Sequence, residues 1–295
     1  MNEENIPEIT TSLVTKLIAE QFPQWSSLPV KPVKQSGFDN VTFHLGDELS
    51  VRLPRLKSFS TQPLREHQWL HKLAPSLSVQ IPEVIALGRP SAEYPWHWSV
   101  RRWIEGNAFN SFTRSELQQY AIPLAEFLKE LHAIDGAGGL EPGEENFFHG
   151  LSPKVNDAKV QEAFKKIDRY IDINSAKELW SSAVNSPIPK RPVWFHGDMN
   201  SGNFILKDGK LVAVIDFGTM GVGDPACDLK IAWTLFDQPA RKLFKNHLGY
   251  DADMWDRAKG WALYNHSIYG LAFNENISPE GIQICQKIAA KIFED

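Results

Sequence analysis

The sequence predicts an α+β protein in two parts. A β-rich part spans residues 1–104 and a mostly helical part spans 105–295. Three observations predict it. Short alternating segments bounded by turn residues dominate up to about residue 104. Beyond that point the apolar residues recur at helical spacing. One small β stretch, around residues 192–217, interrupts the helical part.

The elements follow in order. In "TSLVTKLIAEQF", Leu13, Val14, Leu17, Ile18 and Phe22 form one helical stripe. "PVKPVKQSG" is extended. "DNVTFHLG" alternates Val41, Phe43 and Leu45, and Gly46-Asp47 turns it into "ELSVRLPR" as a hairpin. "QPLREHQWLHKLA" reads as a helix with Leu64, Trp69, Leu70 and Leu73 on one side. "IPEVIALG" and "WHWSVRRWI" complete about five strands, and Gly106 in "RRWIEGNAF" marks a hinge candidate. "TRSELQQYAIPLAEFLKELHAI" opens with a capping box, Thr113 and Glu116. Its stripe is Leu117, Tyr120, Leu124, Phe127, Leu128 and Leu131, and Pro123 predicts a kink or a break. "AKVQEAFKKIDRYI" is a further amphipathic helix. "RPVWFHGDM" and "NFILKDGKLVAVIDFG" form the β stretch, with a turn at Asp208-Gly209. After residue 225 every segment reads as helix, and Ser278 before Pro279 starts the last one.

Composition narrows the function. The net charge of -5, with no cluster of basic residues, gives no electrostatic reason to expect a nucleic-acid partner. Two cysteines make a disulfide scaffold unexpected. The acidic start "MNEENIPEITTS" has no apolar run and reads as no leader peptide. No stretch of about 18 apolar residues predicts a membrane span. The expectation is a cytoplasmic protein with neither membrane nor nucleic-acid partners.

The chemistry concentrates in "WFHGDMNSGNFIL" and "KLVAVIDFG". Asn203 follows Asp198 by five positions, and the hairpin after it ends at Asp216. Such a hairpin brings Asn203 and Asp216 to the same end. One neutral and one charged oxygen donor suit a hard cation such as Mg²⁺ that keeps water and takes phosphate oxygens. Asp198, set apart by its loop, can accept a proton from an incoming hydroxyl. One base and two metal ligands are what phosphoryl transfer asks of a protein.

"HGDMNSGN" resembles the catalytic loop H-x-D-x-x-x-x-N of the protein-kinase-like fold, and "IDFG" resembles its metal-binding D-F-G. The "FHGD" form is similar to that of the aminoglycoside phosphotransferase family of small-molecule kinases. "SGFDNVTFHLGDELSVRLPR", "YPWHWSVRRWIEG" and "GVGDPACDL" also look like that family, so the likeness covers roughly residues 30 to 235. It implies a two-lobed kinase-like fold, with nucleotide in the first lobe and acceptor in the second. It implies Asp198 as catalytic base, Asn203 and Asp216 as Mg²⁺ ligands, and ATP or GTP as co-substrate. Arg52 in "SVRLP", where most kinases have Lys, would meet the nucleotide phosphates, with Glu66 as its partner. "QSGFDN" has one glycine where protein kinases have three. Ser36, Gly37 and Asn40 would still present donors to phosphates, and the base would sit near Arg102, Trp103 and Ile104.

Plainer roles fit several neighbours. His196 reads as a buried histidine that orients the loop, and Asp224 and Asp228 as loop stabilisers. Trp255, Trp261, Tyr264 and Tyr269 recur at helical spacing and read as core. "GVGDPA" matches the dinucleotide fingerprint G-x-G-x-x-A, but no strand runs straight into it and none follows. No A-P-E follows "DFG", which favours a small-molecule acceptor over a protein. An aminoglycoside is the first candidate. Choline, homoserine, macrolide or sugar acceptors are the alternatives, and a non-catalytic nucleotide-binding module is the reading from another class. Residues 1–104 hold 11 basic and 10 acidic residues, and the remainder holds 20 and 26. That excess, with Glu141, Glu144, Glu145 and Asp237 as candidates, would favour a cationic acceptor.

Overall fold

The computed structural model describes residues 8–34, 37–108 and 114–295. Ser36 and Thr113, hence the expected capping box, lie outside them. Two compact units divide the chain: Met1–Asn107 with Ile205–Gly218, and Ala108–Phe204 with Thr219–Asp295. The first unit therefore includes the 205–218 hairpin, which the sequence places among the helices.

In the first unit, α1 (Thr11–Gln21) starts where Thr10 Oγ1 accepts from the Leu13 N–H at 3.2 Å. The strands are β1 (Val30–Pro32), β2 (Asn40–Leu45), β3 (Leu49–Pro54), β4 (Val84–Gly88) and β5 (Trp98–Arg102). They form one antiparallel sheet in the order β1-β2-β3-β5-β4. The register aligns Phe43, Val51 and Val100 across the sheet, and Thr42, Arg52 and Ser99 one position along. Because side chains alternate, these are opposite faces. The first face, with Leu45, Leu53 and Trp98, builds an apolar core with Val14, Leu17 and Ile18 of α1. The second carries Ser50, Arg52, Ser99 and Arg101.

Helix α2 (Gln62–Leu73) buries Gln62, Glu66, Trp69, Leu70 and Leu73. Leu64, expected on that side, is exposed. Gln62, Glu66, Trp69, Leu70 and Leu73 form one helical stripe and residue 64 falls off it, although Pro63 and Arg65 are buried as well. The hairpin Phe204–Lys207/Lys210–Val214 turns through Asp208 and Gly209, both with positive φ (52° and 72°), as a two-residue Asp-Gly turn demands. Gln80 fastens it to the first unit: its N–H donates to Val212 O at 3.1 Å and its carbonyl accepts from Val214 N at 3.0 Å. Gly106 lies against the same hairpin, where a Cβ would stand 2.6 Å from Leu206 O.

In the second unit, α3 (Arg114–Ala133) runs through Pro123 without a break. A proline inside a helix costs about 3 kcal/mol. Ending the helix there would expose Leu124, Phe127, Leu128 and Leu131, all fully buried, each contributing about 1.5–3 kcal/mol. Next come α4 (Asp157–Phe164), shorter than its periodicity predicts, and α5 (Ile173–Asn185), a helix not among the sequence expectations. Its buried Ala176, Trp180 and Ala183 do carry helical spacing. The strand Val193–Phe195 pairs antiparallel with Gly221–Gly223, so the expected single β stretch is split between two sheets. Close approach explains the fingerprint-like glycines: a Cβ on Gly221 would meet the ring of Phe195 in the paired strand at 2.6 Å, and one on Gly223 would meet Gly150 O at 2.4 Å.

The remaining helices are α6 (Ile231–Thr234), α7 (Gln238–Leu248), α8 (Ala252–Leu263), α9 (Tyr269–Phe273) and α10 (Pro279–Phe293). A π-turn, Tyr264–Ile268, separates α8 from α9 where the periodicity predicts one helix. Trp255, Trp261 and Tyr264 are buried, whereas Tyr269 is exposed. Ser278 caps α10, accepting from Gly281 N at 3.1 Å. Among the described residues no helix is long and apolar enough to cross a membrane.

Candidate active site

The Asp198 loop belongs to the second unit and is mounted on buried charge. Asp228, fully buried, accepts from the backbone N–H of His196 and of Gly197, each at 2.7 Å. His132 Nε2 lies 3.4 Å from the same carboxylate. Burial alone would raise the Asp228 pKa, but the His132 contact and the His196 N–H outweigh it and hold the carboxyl below its ordinary value. Lys230, 2% exposed, donates to Gly197 O at 2.9 Å. Gly197 has φ 88°, and a Cβ there would stand 2.6 Å from Thr219 O. Only glycine fits that turn without strain. His196 is fully buried, and its Nδ1 accepts from Asp198 N at 3.1 Å. It orients the loop, as the sequence suggests. Asp224 serves the next turn: it accepts from Arg257 Nε at 2.6 Å and from Ala226 N at 3.2 Å. Asp237 caps α7, accepting from Ala240 N at 3.0 Å.

Asp198 itself is half-buried. Its Oδ2 accepts from Asn200 Nδ2 at 2.9 Å and Asn203 Nδ2 at 3.0 Å, and no described residue donates to Oδ1. The Asn203 amide nitrogen also donates to Asp198 O at 2.9 Å. With its nitrogen engaged twice, Asn203 has an amide oxygen to which no described residue donates.

The first unit holds Arg52, Glu66 and Asp216 together. Arg52 Nη2 donates to Asp216 Oδ1, and Arg52 Nη1 lies 3.4 Å from Glu66 Oε1. Burial works against the Arg52 charge, yet Asp216 and Glu66 outweigh it and raise its pKa above the usual arginine value. Asp216 has φ 68°, a left-handed backbone that Asp tolerates better than most residues. Arg65 Nη2 steadies that end by donating to Gly218 O at 2.7 Å. Asn40 is buried, and its amide oxygen, turned as its neighbours require, accepts from Arg52 Nε at 3.1 Å and Nη2 at 2.8 Å.

Other expected residues are placed more loosely. Gly37 is exposed, and its carbonyl accepts from Arg55 Nε at 3.3 Å. The Arg102 side chain is exposed and pairs with Glu83 at 2.8 Å. Trp103 N–H donates to Glu48 O at 2.7 Å, its ring stands 4.1 Å from that of His44, and Ile104 is half-buried. Sequence reasoning missed Arg101, Asn200 and Lys230. For Arg101 a signal existed. Adjacent arginines in a strand point to opposite faces, so one of Arg101 and Arg102 had to share the face of Arg52.

Metal chemistry can be tested on the donors. Among the described residues no group of three His, Cys, Asp or Glu forms a cage for a metal ion. Asn203 and Asp216 each offer a hard oxygen. Few protein ligands, all oxygen, fit a Mg²⁺ ion that keeps waters and takes phosphate oxygens.

A model of the phosphotransferase enzyme family matches residues 30–261. The chain belongs to that family. An Escherichia coli aminoglycoside 3'-phosphotransferase is 23% identical over 164 residues, which cover 54% of this chain and 59% of the relative. The chain thus spans less than two thirds of that curated relative. Among solved structures, the GDP complex of aminoglycoside 2'-phosphotransferase-IIIa has a TM-score of 0.73 at 18% identity, covering 97% of this chain and 99% of the other. A macrolide 2'-phosphotransferase from Brachybacterium faecium has 0.61 at 18%, covering 96% and 97%. An aminoglycoside phosphotransferase in ternary complex with AMP-PNP and hygromycin B has 0.64 at 17%, covering 95% and 98%. The phosphotransferase family shares the α+β kinase-like fold that the motifs predict.

Proposed function

We propose that this chain transfers the γ-phosphoryl group of ATP or GTP to a hydroxyl of a small molecule in the cytoplasm. The observation that carries the reading is the state of Asp198. Two amides hold one carboxylate oxygen and leave the other to take a proton from the acceptor hydroxyl. Residues 1–104 would bind the nucleotide and 105–295 the acceptor. Arg52 would meet the phosphates, with Glu66 beside it. Ser36, Gly37 and Asn40 would lie towards the phosphates, and Arg102, Trp103 and Ile104 near the base. Asn203 and Asp216 would hold Mg²⁺, which when bound neutralises charge on the transferring phosphates. Asp198 on its mounted loop would orient the hydroxyl and accept its proton.

An aminoglycoside-like acceptor is the first candidate, since relatives of both kinds described above act on aminoglycosides by their names. The macrolide relative keeps other hydroxyl acceptors in view. The test is turnover of Mg·ATP and Mg·GTP against cationic and neutral hydroxyl compounds, beside Asp198→Asn. Acceptor-dependent turnover that Asp198→Asn removes supports the reading. Binding of nucleotide with no turnover on any acceptor favours a non-catalytic module. A cationic acceptor should show a KM that rises with salt, because charges are screened over about 8 Å at physiological ionic strength. A preferred neutral acceptor with a salt-insensitive KM would remove the charge argument.

A further inference from the structure

A second concave site lies in the second unit, behind the mount of the Asp198 loop. It is a cleft of about 150 Å³ between the end of α3, the start of α8 and the chain entering the strand Val193–Phe195. Pro189, Val193, Pro225 and Met254 give it an apolar lining, and none of the described residues that line it is acidic. Arg191 supplies its one permanent cation. Arg191 is exposed, and no described residue pairs with its guanidinium. His132 and Tyr250 complete the wall. Tyr250 follows Gly249, which ends α7 at φ 66°, and its hydroxyl lies 2.7 Å from His132 Nδ1. The other ring nitrogen, Nε2, faces Asp228 at 3.4 Å. A carboxylate only accepts, so Nε2 carries the hydrogen and, in the neutral ring, Nδ1 accepts from the Tyr250 hydroxyl. Asp228 in turn receives the N–H groups of His196 and Gly197. One chain of hydrogen bonds therefore runs from the cleft to the backbone just before Asp198.

The lining sets the class of occupant. A space of about this size holds a six-membered ring. A methionine thioether packs well against an aromatic ring. An arginine without a carboxylate partner suits one planar anion, which it can grip through two parallel N–H groups. A phosphate would meet the same cation but no further donor, because the hydrogens of Tyr250 and His132 are already given inward. Its remaining oxygens would face apolar side chains at a cost.

We propose that this cleft binds a small aromatic carboxylate, and that its occupant tightens the Asp198 loop through Tyr250, His132 and Asp228. The ring covers Tyr250 and keeps water from its hydroxyl. Tyr250 is only half-buried in the chain alone, so there is shielding to gain. A hydrogen bond shielded from water is electrostatically stronger, and its neighbours in a chain are strengthened with it. None of the lining residues is among the groups assigned to phosphotransfer, so this site stands or falls apart from that reading.

The test titrates the full chain with benzoate, with benzyl alcohol as its uncharged counterpart, and with inorganic phosphate as an anion that lacks an apolar body. The Met254 methyl signal in NMR reads occupancy. A ligand this small should saturate it with a Kd of about 1–10 mM. Benzyl alcohol and phosphate should bind about fivefold more weakly or worse, and so should benzoate to Arg191→Met, the value of an exposed ion pair. Melting curves establish that each variant is folded. Hydrogen exchange then reads the mount. Saturating benzoate should slow the His196 and Gly197 amides by about twofold or more, beyond any change at other amides of the second unit. Tyr250→Phe keeps the ring and removes the hydroxyl, so it should still bind benzoate and lose that slowing. No saturable shift, or benzyl alcohol or phosphate binding as well as benzoate, overturns the ligand class. Unchanged exchange of the two amides with benzoate bound, slowing spread evenly over the second unit, or slowing that survives in Tyr250→Phe overturns the coupling. If Tyr250→Phe does not fold, the wild-type exchange pattern decides alone: slowing confined to the two amides supports the coupling, and any other pattern overturns it.

Discussion

The Asp198 loop and the Arg52 cluster both rest on buried charge, and they use it in opposite ways. In the loop, charged side chains meet backbone: Asp228 takes two N–H groups and Lys230 a carbonyl. In the cluster, charged side chains meet each other: Arg101 and Arg52 share Glu66, and Arg52 also holds Asp216. A backbone partner fixes where the chain runs and has no rotamer to change. A side-chain partner can be exchanged for a ligand of the same charge. The first design mounts a group, and the second stores cations against carboxylates.

The largest expected effect comes from removing the mount. Asp228→Ala leaves two buried N–H groups unpaired and deprives His132 of its carboxylate partner. Breaking a buried charged network this way costs about 3–5 kcal/mol. Urea unfolding should show a loss of that order, together with loss of any turnover. Arg52→Met should cost clearly less stability, since Glu66 keeps Arg101. Equal losses would erase the distinction between mount and store.

Next comes the group the mount carries. Asp198→Asn keeps the shape of the loop and removes the proton acceptor. A general base contributes about 10²–10⁴ in rate, so kcat should fall by that factor with nucleotide Kd little changed. A parallel loss of nucleotide affinity would place Asp198 among the structural or metal-binding groups.

How much of this could be read beforehand differs between the two regions. Asp198, Asn203 and Asp216 are spaced in sequence as their elements are, so the loop and the hairpin were legible together. The Asp208-Gly209 turn was legible because few residues accept positive φ. Arg101 was not, because its role arises from a pairing between β3 and β5 and a helix between them in sequence. Alternation allowed either arginine of "SVRRW" to face inward, and only the register chooses. The strand Gly221–Gly223 was hidden for a related reason. Its partner Val193–Phe195 is distant in sequence, and its glycines serve close backbone approach instead of side-chain alternation.

A smaller effect should follow at Gly197, where the mount needs a left-handed backbone. Gly197→Ala places a Cβ 2.6 Å from Thr219 O at φ 88°. Strain of this kind costs about 1–3 kcal/mol. Urea unfolding should register that cost, and kcat should fall more than nucleotide affinity, because the displaced residue is next to Asp198. Gly209→Ala is the control. It too has positive φ (72°), but no atom lies near its Cβ position. It should cost less and leave kcat alone.

The effect that vanishes at neutral pH is a pH dependence, and it belongs to the mounted region. His149 is 8% exposed, and its Nδ1 has no hydrogen-bond partner among the described residues. Burial, helped by the charge on Lys230 and the nearby His266 and His196, lowers its pKa to about 3, while Asp228 pulls the other way. The unfolded chain takes up this proton near the ordinary histidine value of about 6.5. The folded pKa is the lower one, so the contribution is complete above about 6.5 and is lost as pH falls towards about 3. Within that window one such histidine costs about 1.4 kcal/mol per pH unit. His149→Gln removes the titration while keeping a polar side chain of similar reach. Urea unfolding at a series of pH values from neutral to mildly acidic should show wild type losing stability faster than the variant, by about that slope. The cluster in the first unit offers no counterpart from its cations, because arginine stays charged throughout the range. Parallel curves for wild type and variant would mean that the loop region accepts a charge on His149 beside Lys230. The mount would then be softer than its backbone contacts imply.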